Sequence, residues 1–164
     1  MTTPVLQHIA DAPRVEGMGG AISVRLRSEE TGDRLALIEM VIPAGFAGTP
    51  LHVHPSFDEA FYVLEGELTY RAGAELITAG PGALVYVPGS VPHTFAELTG
   101  DVGARVLLWV TPAGHERYFD DLTALMLASP DGPPAVEALG SVMREHGIEI
   151  VGGPDPREVP AGVI

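Results

Sequence analysis

The sequence predicts an all-β core, arranged as a sandwich or barrel, with two α-helices after it. The first observation is turn chemistry: the 164 residues include 20 glycines and 15 prolines that follow no repeat, which is typical of many short strands joined by turns. The second is composition, because 46% apolar residues are enough to fill the core of one domain. The third is a change of hydrophobic period, from that of strands before Trp109 to that of helices after it.

Strands are indicated in order along the first part of the chain. Apolar and polar residues alternate over residues 21–27, and the nearly all-apolar segment 35–42 predicts a strand buried on both faces. Further short apolar runs, separated by turns that contain Gly or Pro, cover residues 61–64, 68–70, 76–78, 83–87 and 104–110, and residues 51–54 form an extended stretch before them. We therefore expect an N-terminal arm over residues 1–20 and a β core over residues 21–110.

Two helices and a tail are expected after the strands, over residues 111–164. Thr111 is a suitable N-cap with Pro112 at the first helical position, and apolar residues then recur at helical spacing. A break rich in Gly and Pro separates this helix from a second one, which ends at Gly147. The last residues, again rich in Gly and Pro, are predicted to form a tail.

Charge and composition exclude several classes of partner and site. A net charge of −13 repels nucleic acid and anionic membrane surfaces at long range, so neither is expected as a partner. The N-terminus has no basic head followed by an apolar run, and no apolar stretch is long enough to span a membrane, which favours a cytoplasmic protein. Because the chain has no cysteine, any metal site must use nitrogen and oxygen donors.

A His-x-His pair carries the strongest chemical signal in the sequence. Side chains two residues apart on a strand share a face, so His52 and His54 can reach one point in space. Pro55 interrupts the strand, which lets Glu59 begin a new segment with its side chain facing the same point. His93, which follows a turn that contains Pro and Gly, is a fourth candidate. Imidazole and carboxylate donors in this pattern indicate a site for one divalent transition metal.

At these residues the sequence resembles the cupin family. The positions that match its two motifs are His52, His54, Glu59 and Gly66 in the first, and Gly82, Pro88 and His93 in the second. Three positions depart from the motifs: Phe46 and Ser90 stand where glycine is usual, and Glu97 stands where asparagine is usual. The resemblance implies a jelly-roll β-barrel. The C-terminal residues are similar to those of small single-domain bacterial cupins that are described as quercetin-dioxygenase-like.

The resemblance implies a metal-dependent oxidoreductase, in particular a dioxygenase that uses O₂ on a phenolic, flavonol-like or polyketide-like small molecule. Its ligands would be His52, His54, Glu59 and His93, and Glu59 would also take a proton from a substrate hydroxyl. This donor set accepts Fe, Mn, Ni, Cu, Co or Zn. Two alternatives stay open: a cupin isomerase, cyclase or lyase that does not use O₂, and a non-catalytic cupin that binds a small molecule.

Strand parity predicts the walls of a substrate pocket, since residues two apart from an inward ligand also face inward. The predicted wall residues are Ile38, Met40, Phe61, Val63 and Phe95. An open sheet edge and a barrel with little polar outer surface favour a homodimer, which the family commonly forms.

The other titratable residues are predicted to have structural roles. His8, His115 and His146 have no partner at ligand spacing and are expected at the surface or at helix ends. Asp58 should point away from the site, because neighbouring residues on a strand face opposite sides. Glu97 is expected to be an exposed strand residue, with the orientation of a ligand imidazole as the alternative.

Overall fold

The computed structural model describes residues 4–8, 14–17, 20–129, 132 and 134–158. Within these ranges the strands are β1 (Val15–Gly17), β2 (Gly20–Leu26), β3 (Ala36–Ile42), β4 (Leu51–Val53), β5 (Asp58–Glu65), β6 (Leu68–Ala72), β7 (Glu75–Ala79), β8 (Leu84–Val87), β9 (His93–Ala96), β10 (Ala104–Thr111) and β11 (Glu149–Gly152). The helices are α1 (Ser28–Thr31), α2 (Glu116–Leu127) and α3 (Val136–Glu145). Among the described residues, no helix is long and apolar enough to cross a membrane.

The strands form two antiparallel sheets that pack as a sandwich. The first sheet has the order β1-β2-β3-β10-β5-β8, and the second has the order β11-β4-β9-β6-β7. Alternate side chains point into one shared apolar core, as along β10, where Val106, Leu108 and Val110 are buried between half-buried neighbours. The prediction of an all-β core followed by two helices is confirmed.

The first long helix begins later than predicted. β10 continues through Thr111, which pairs with Asp58 of β5, and α2 begins at Glu116 with His115 at its N-cap. The prediction of Thr111 as the N-cap is therefore wrong, because the sheet keeps this residue in its hydrogen-bonded ladder. The second long helix, α3, is followed by Gly147 at a φ of +72°, the conformation expected of a glycine that ends a helix.

Part of the predicted tail belongs to the second sheet. β11 pairs with β4, and Ile150 lies opposite His52 in the ladder. Beyond β11, the carbonyl oxygen of Pro156 accepts a hydrogen bond of 2.6 Å from Nε of the buried Arg71. The Gly and Pro content of these residues gave no sign of this strand. This segment supports the strand that carries the first of the predicted metal ligands.

Candidate metal centre

The fold brings the four predicted ligands together from both sheets. His52 on β4 lies opposite His93 on β9 in the second sheet, and His54 follows the end of β4 directly. Glu59 is the second residue of β5 and reaches the cluster from the first sheet. The turn at residues 55–56 separates β4 from β5, and this break lets the Glu59 side chain face the histidines.

The donor atoms of these side chains lie close enough to surround one ion. One nitrogen from each of the three histidines falls within a mutual distance of 4.8 Å. The Nε2 atoms of His54 and His93 are 3.2 Å apart, and Oε2 of Glu59 is 3.4 Å from the first and 3.0 Å from the second. These three side chains are buried, and His52 is partly buried.

A backbone carbonyl group fixes the orientation of each imidazole. The Nδ1-to-oxygen distances are 2.7 Å for His52 with Pro50, 3.1 Å for His54 with Phe57 and 2.9 Å for His93 with Val91. Each Nδ1 therefore carries a proton and donates it to a carbonyl group, while each Nε2 presents a lone pair. Lone pairs that converge with a carboxylate oxygen repel one another unless a cation lies among them. The residues present thus fit a divalent metal ion.

Burial and neighbouring charge keep the side chains in the forms that bind metals. Burial, assisted by the neighbouring His93, lowers the pKa of His52 to about 3, so that this ring is neutral. Burial alone would raise the pKa of Glu59, but the adjacent His54 and His93 rings, when they carry a proton on Nε2 in place of a bound ion, hold it well below its usual value. A neutral imidazole and an ionised carboxylate are the protonation states that ligate divalent transition metals.

An apolar cavity of about 250 Å³ opens onto the cluster. Three of the predicted wall residues, Met40, Phe61 and Phe95, line this cavity together with side chains of the ligand cluster. Ile38 and Val63 are fully buried in the core and are not among the residues that line the cavity. The contact of any of these five residues with a substrate stays a prediction.

The helical extension forms part of the same cavity. Phe119 and Leu122 of α2 line it, as do Leu139 and Met143 of α3. The sequence left open whether the helices cover an outer face of the barrel or its mouth. In the structure they wall the cavity beside the ligand cluster, so the residues after β10 belong to the site.

His115 is a site residue that the sequence did not reveal. It lies at a helix end, which is one of the two positions predicted for it. Its ring, however, is buried, and its Nε2 atom is 3.7 Å from Oε1 of Glu59. The ring packs against Phe57 and stacks on Tyr118, with centroid distances of 4.4 Å and 5.0 Å. Burial lowers the pKa of His115 to about 4. No spacing along the chain signals this contact, because β10 and the loop after it carry the ring back to the site.

Glu97 has a different role from either one predicted for it. Its side chain is buried, so it is not an exposed strand residue, and it contacts backbone groups instead of a ligand imidazole. The carboxylate accepts hydrogen bonds from the N–H groups of Gly45 at 2.5 Å, Thr99 at 2.9 Å and Gly100 at 3.0 Å. Burial opposes the ionisation of Glu97, but the Thr99 hydroxyl group, which also donates to this carboxylate, and the three N–H groups outweigh it and lower the pKa. Glu97 therefore ties together two loops.

Three other residues discussed in the sequence analysis, Asp58, His8 and His146, lie where the sequence predicted them. Asp58 points away from the site, and its Oδ2 accepts a hydrogen bond of 2.7 Å from the Tyr86 hydroxyl. His8 is exposed. His146 lies at the C-terminal end of α3, where its Nε2 is 2.7 Å from Oδ2 of Asp121.

Known proteins share this fold and this part of the sequence. Residues 38–111 match the sequence family described as the cupin domain. An uncharacterized protein of Methanocaldococcus jannaschii is 30% identical over 86 residues, which cover 52% of this chain and 67% of that protein. An RmlC-like cupin from Shewanella frigidimarina has a similar structure, with a TM-score of 0.59 at 17% identity over 70% of this chain and 96% of its own.

A second structural relative includes the helical extension. The nucleoside dehydratase Pac13, whose variants are described from Streptomyces, matches 96% of this chain and 99% of its own, with a TM-score of 0.57 at 14% identity. At such identities the similarity shows a shared fold. The domain match, the two facing sheets and the likeness to these structures agree with one another. The chain therefore belongs to the cupin family and has its jelly-roll fold.

Proposed function

We propose that this cupin is a metal-dependent oxidoreductase, a dioxygenase that acts on a small phenolic, flavonol-like or polyketide-like molecule. The observation that carries the proposal is that the ligand cluster forms the polar end of an apolar cavity. A molecule that enters the cavity would meet an apolar wall on most sides and a group of metal ligands at one point. This arrangement suits an apolar ring that carries a hydroxyl group.

The proposed ion is held by His52, His54, Glu59 and His93. A divalent transition metal bound there would supply Lewis acidity and, where it is redox-active, electron transfer between substrate and O₂. Glu59 is the proposed base, because its ionised carboxylate faces the cavity and accepts a proton from a substrate hydroxyl. The rings of Phe61 and Phe95 line the same cavity as this carboxylate and make its wall apolar.

Oxygen consumption tests this function. We expect the metal-loaded protein to take up O₂ with at least one member of a panel of flavonols and catechols. The Glu59→Gln variant should be slower by about 10²- to 10⁴-fold, the usual contribution of a general base. Asp58→Asn is the matched control, because this neighbouring carboxylate faces Tyr86 and away from the site. Full metal loading without O₂ uptake on any substrate would refute the dioxygenase proposal.

A second candidate is an isomerase, cyclase or lyase that moves a proton without using O₂. The contact between Glu59 and His115 favours it, because two groups able to carry protons then lie beside the same cavity. The structural likeness to the nucleoside dehydratase Pac13 also supports this candidate. Conversion of a panel substrate at an unchanged rate without O₂ would favour it over the dioxygenase, whereas binding without conversion would favour a non-catalytic cupin.

We also propose that the protein is a homodimer. The strand β8 ends the first sheet, and no further strand among the described residues pairs with its outer edge. Next to this edge Leu84 is 62% exposed, Tyr86 is 55% exposed and Tyr62 is 36% exposed. An open edge flanked by exposed apolar side chains favours pairing with a second copy.

Sedimentation velocity at micromolar concentration is expected to show a dimer. Leu84→Glu should shift it toward monomer, because the substitution places like charges in a contact that both copies share. Leu76→Glu is the control, since Leu76 is similarly exposed on β7, at the edge of the other sheet. A wild-type monomer under these conditions would contradict the proposal.

A further inference from the structure

The two carboxylate oxygens of Glu59 face different neighbours. Oε2 lies 3.0 Å from Nε2 of His93 and 3.4 Å from Nε2 of His54, inside the ligand cluster. Oε1 faces the opposite way, toward Nε2 of His115 at 3.7 Å. The carboxylate therefore has one oxygen on the side of the proposed ion and one oxygen on the side of His115.

The surroundings of His115 determine which of its nitrogens carries the proton. Its Nδ1 atom is buried, and no group among the described residues forms a hydrogen bond with it. A proton on Nδ1 would leave a buried N–H group without an acceptor, which is rarer in proteins than an acceptor without a donor. The proton of the neutral ring is thus placed on Nε2, the atom that faces Glu59.

Packing holds the His115 ring in this position. The ring stacks on Tyr118 at an interplanar angle of 14° and also packs against Phe57. The next residue, Glu116, is buried and accepts hydrogen bonds from the N–H groups of Ser28 at 3.1 Å and Gly114 at 2.7 Å. These contacts fix the start of α2 and leave the ring little freedom to turn away from the carboxylate.

We propose that His115 is a positioning residue for Glu59, which holds Oε1 through its Nε2–H group and so leaves Oε2 alone to face the metal. The distance of 3.7 Å is longer than a hydrogen bond, and contacts of this kind often shorten when the site binds its substrate. Held in this way, Glu59 is a one-oxygen ligand. Without the N–H group the carboxylate is free to rotate, and both the geometry and the strength of metal binding change. The inference rests on the proposed metal site and does not depend on which reaction takes place there.

Cobalt binding tests the proposal without reference to activity. Co²⁺ is the probe, because its visible absorption reports the number and geometry of its ligands and a titration gives its affinity. We compare His115→Gln, which retains an N–H donor, with His115→Met, which has similar length but no donor. His115→Phe is a third variant that keeps an aromatic ring against Tyr118 and Phe57 and removes both nitrogens. Circular dichroism and thermal unfolding identify which variants are folded.

We expect His115→Met and His115→Phe to bind Co²⁺ about 10- to 100-fold more weakly than wild type and with a changed visible spectrum. His115→Gln should stay close to wild type in both measurements. The proposal is overturned if the two apolar variants match wild type. It is also overturned if His115→Gln is as impaired as His115→Met, because the ring would then act through packing alone.

The same titration separates this proposal from the proposed function. If wild type fails to bind Co²⁺, the metal site itself is refuted, and the role of His115 is refuted with it. If wild type binds Co²⁺ and the His115 variants behave as expected, but no substrate consumes O₂, only the assignment as a dioxygenase fails.

Discussion

Replacing His93 by alanine is expected to lower the affinity of the protein for Co²⁺ by more than about 100-fold, beyond the 10- to 100-fold typical of residues that only support a ligand. His93 is buried, and its Nε2 lies 3.2 Å from Nε2 of His54 and 3.0 Å from Oε2 of Glu59. Its removal leaves three of the four proposed donors. Titration of Co²⁺ against a competing coloured chelator measures the loss.

His8→Ala is the control for this experiment. His8 is an exposed histidine outside the cluster, so its removal should leave Co²⁺ affinity unchanged. A chain that lacks His93 and still binds Co²⁺ as tightly as wild type would show that the ion is held elsewhere, and the proposed ligand set would then be wrong.

The second large effect concerns stability, and it is expected for Gly66→Ala. Gly66 has a φ of +72°, and an added Cβ would lie 1.9 Å from the carbonyl oxygen of Gly103 and 2.7 Å from Cα of Ala104. A left-handed conformation costs a residue with a Cβ about 1–2 kcal/mol, and the backbone must also move to relieve the clash. We expect a loss of about 3–5 kcal/mol in the free energy of unfolding, measured by urea denaturation.

Gly82→Ala isolates the contribution of backbone conformation. Gly82 has a φ of +87°, but an added Cβ would have no atom within 4 Å apart from its own residue and its two chain neighbours. This variant should lose only about 1–2 kcal/mol in the free energy of unfolding. Equal losses for the two variants would show that the close approach of Gly66 to Gly103 has no influence on stability.

Much of the fold follows from local patterns. The strands were predicted in order because apolar residues alternate or form short runs, and each run ends at a Gly or Pro turn. The same reasoning placed Glu59: a break after His54 was predicted to reset the strand parity, and in the structure Glu59 faces the histidines. Such inferences succeed because the two-residue period of a strand depends only on the covalent chain.

Three features of the site depend on contacts that no local pattern encodes. His115 reaches Glu59 because β10 and the loop after it carry the ring back to the site, and its position at the start of a helix gave no sign of this. Glu97 binds the backbone of another loop at Gly45. The predicted tail forms β11 beside β4 and faces His52 across the ladder.

One departure from the family motif, Ser90, has a structural explanation. Ser90 stands where glycine is usual, and its φ of +69° lies in the left-handed region that favours glycine. A serine there carries backbone strain that a glycine would not. The structure thus explains why the motif has glycine at this position, and it shows that the departure leaves the orientation of His93 intact, since Nδ1 of His93 still bonds to Val91.

Residue type, spacing and strand parity are properties of the chain, and they were enough to predict the all-β core and four candidate ligands and to exclude thiolate donors. That α2 and α3 wall the cavity and that β11 supports β4 is visible only in the folded molecule. The same is true of His115, which joins the four candidate ligands through its contact with Glu59. Each of these depends on segments far apart in sequence, and the free energy that joins them comes from shared burial, which no single segment specifies.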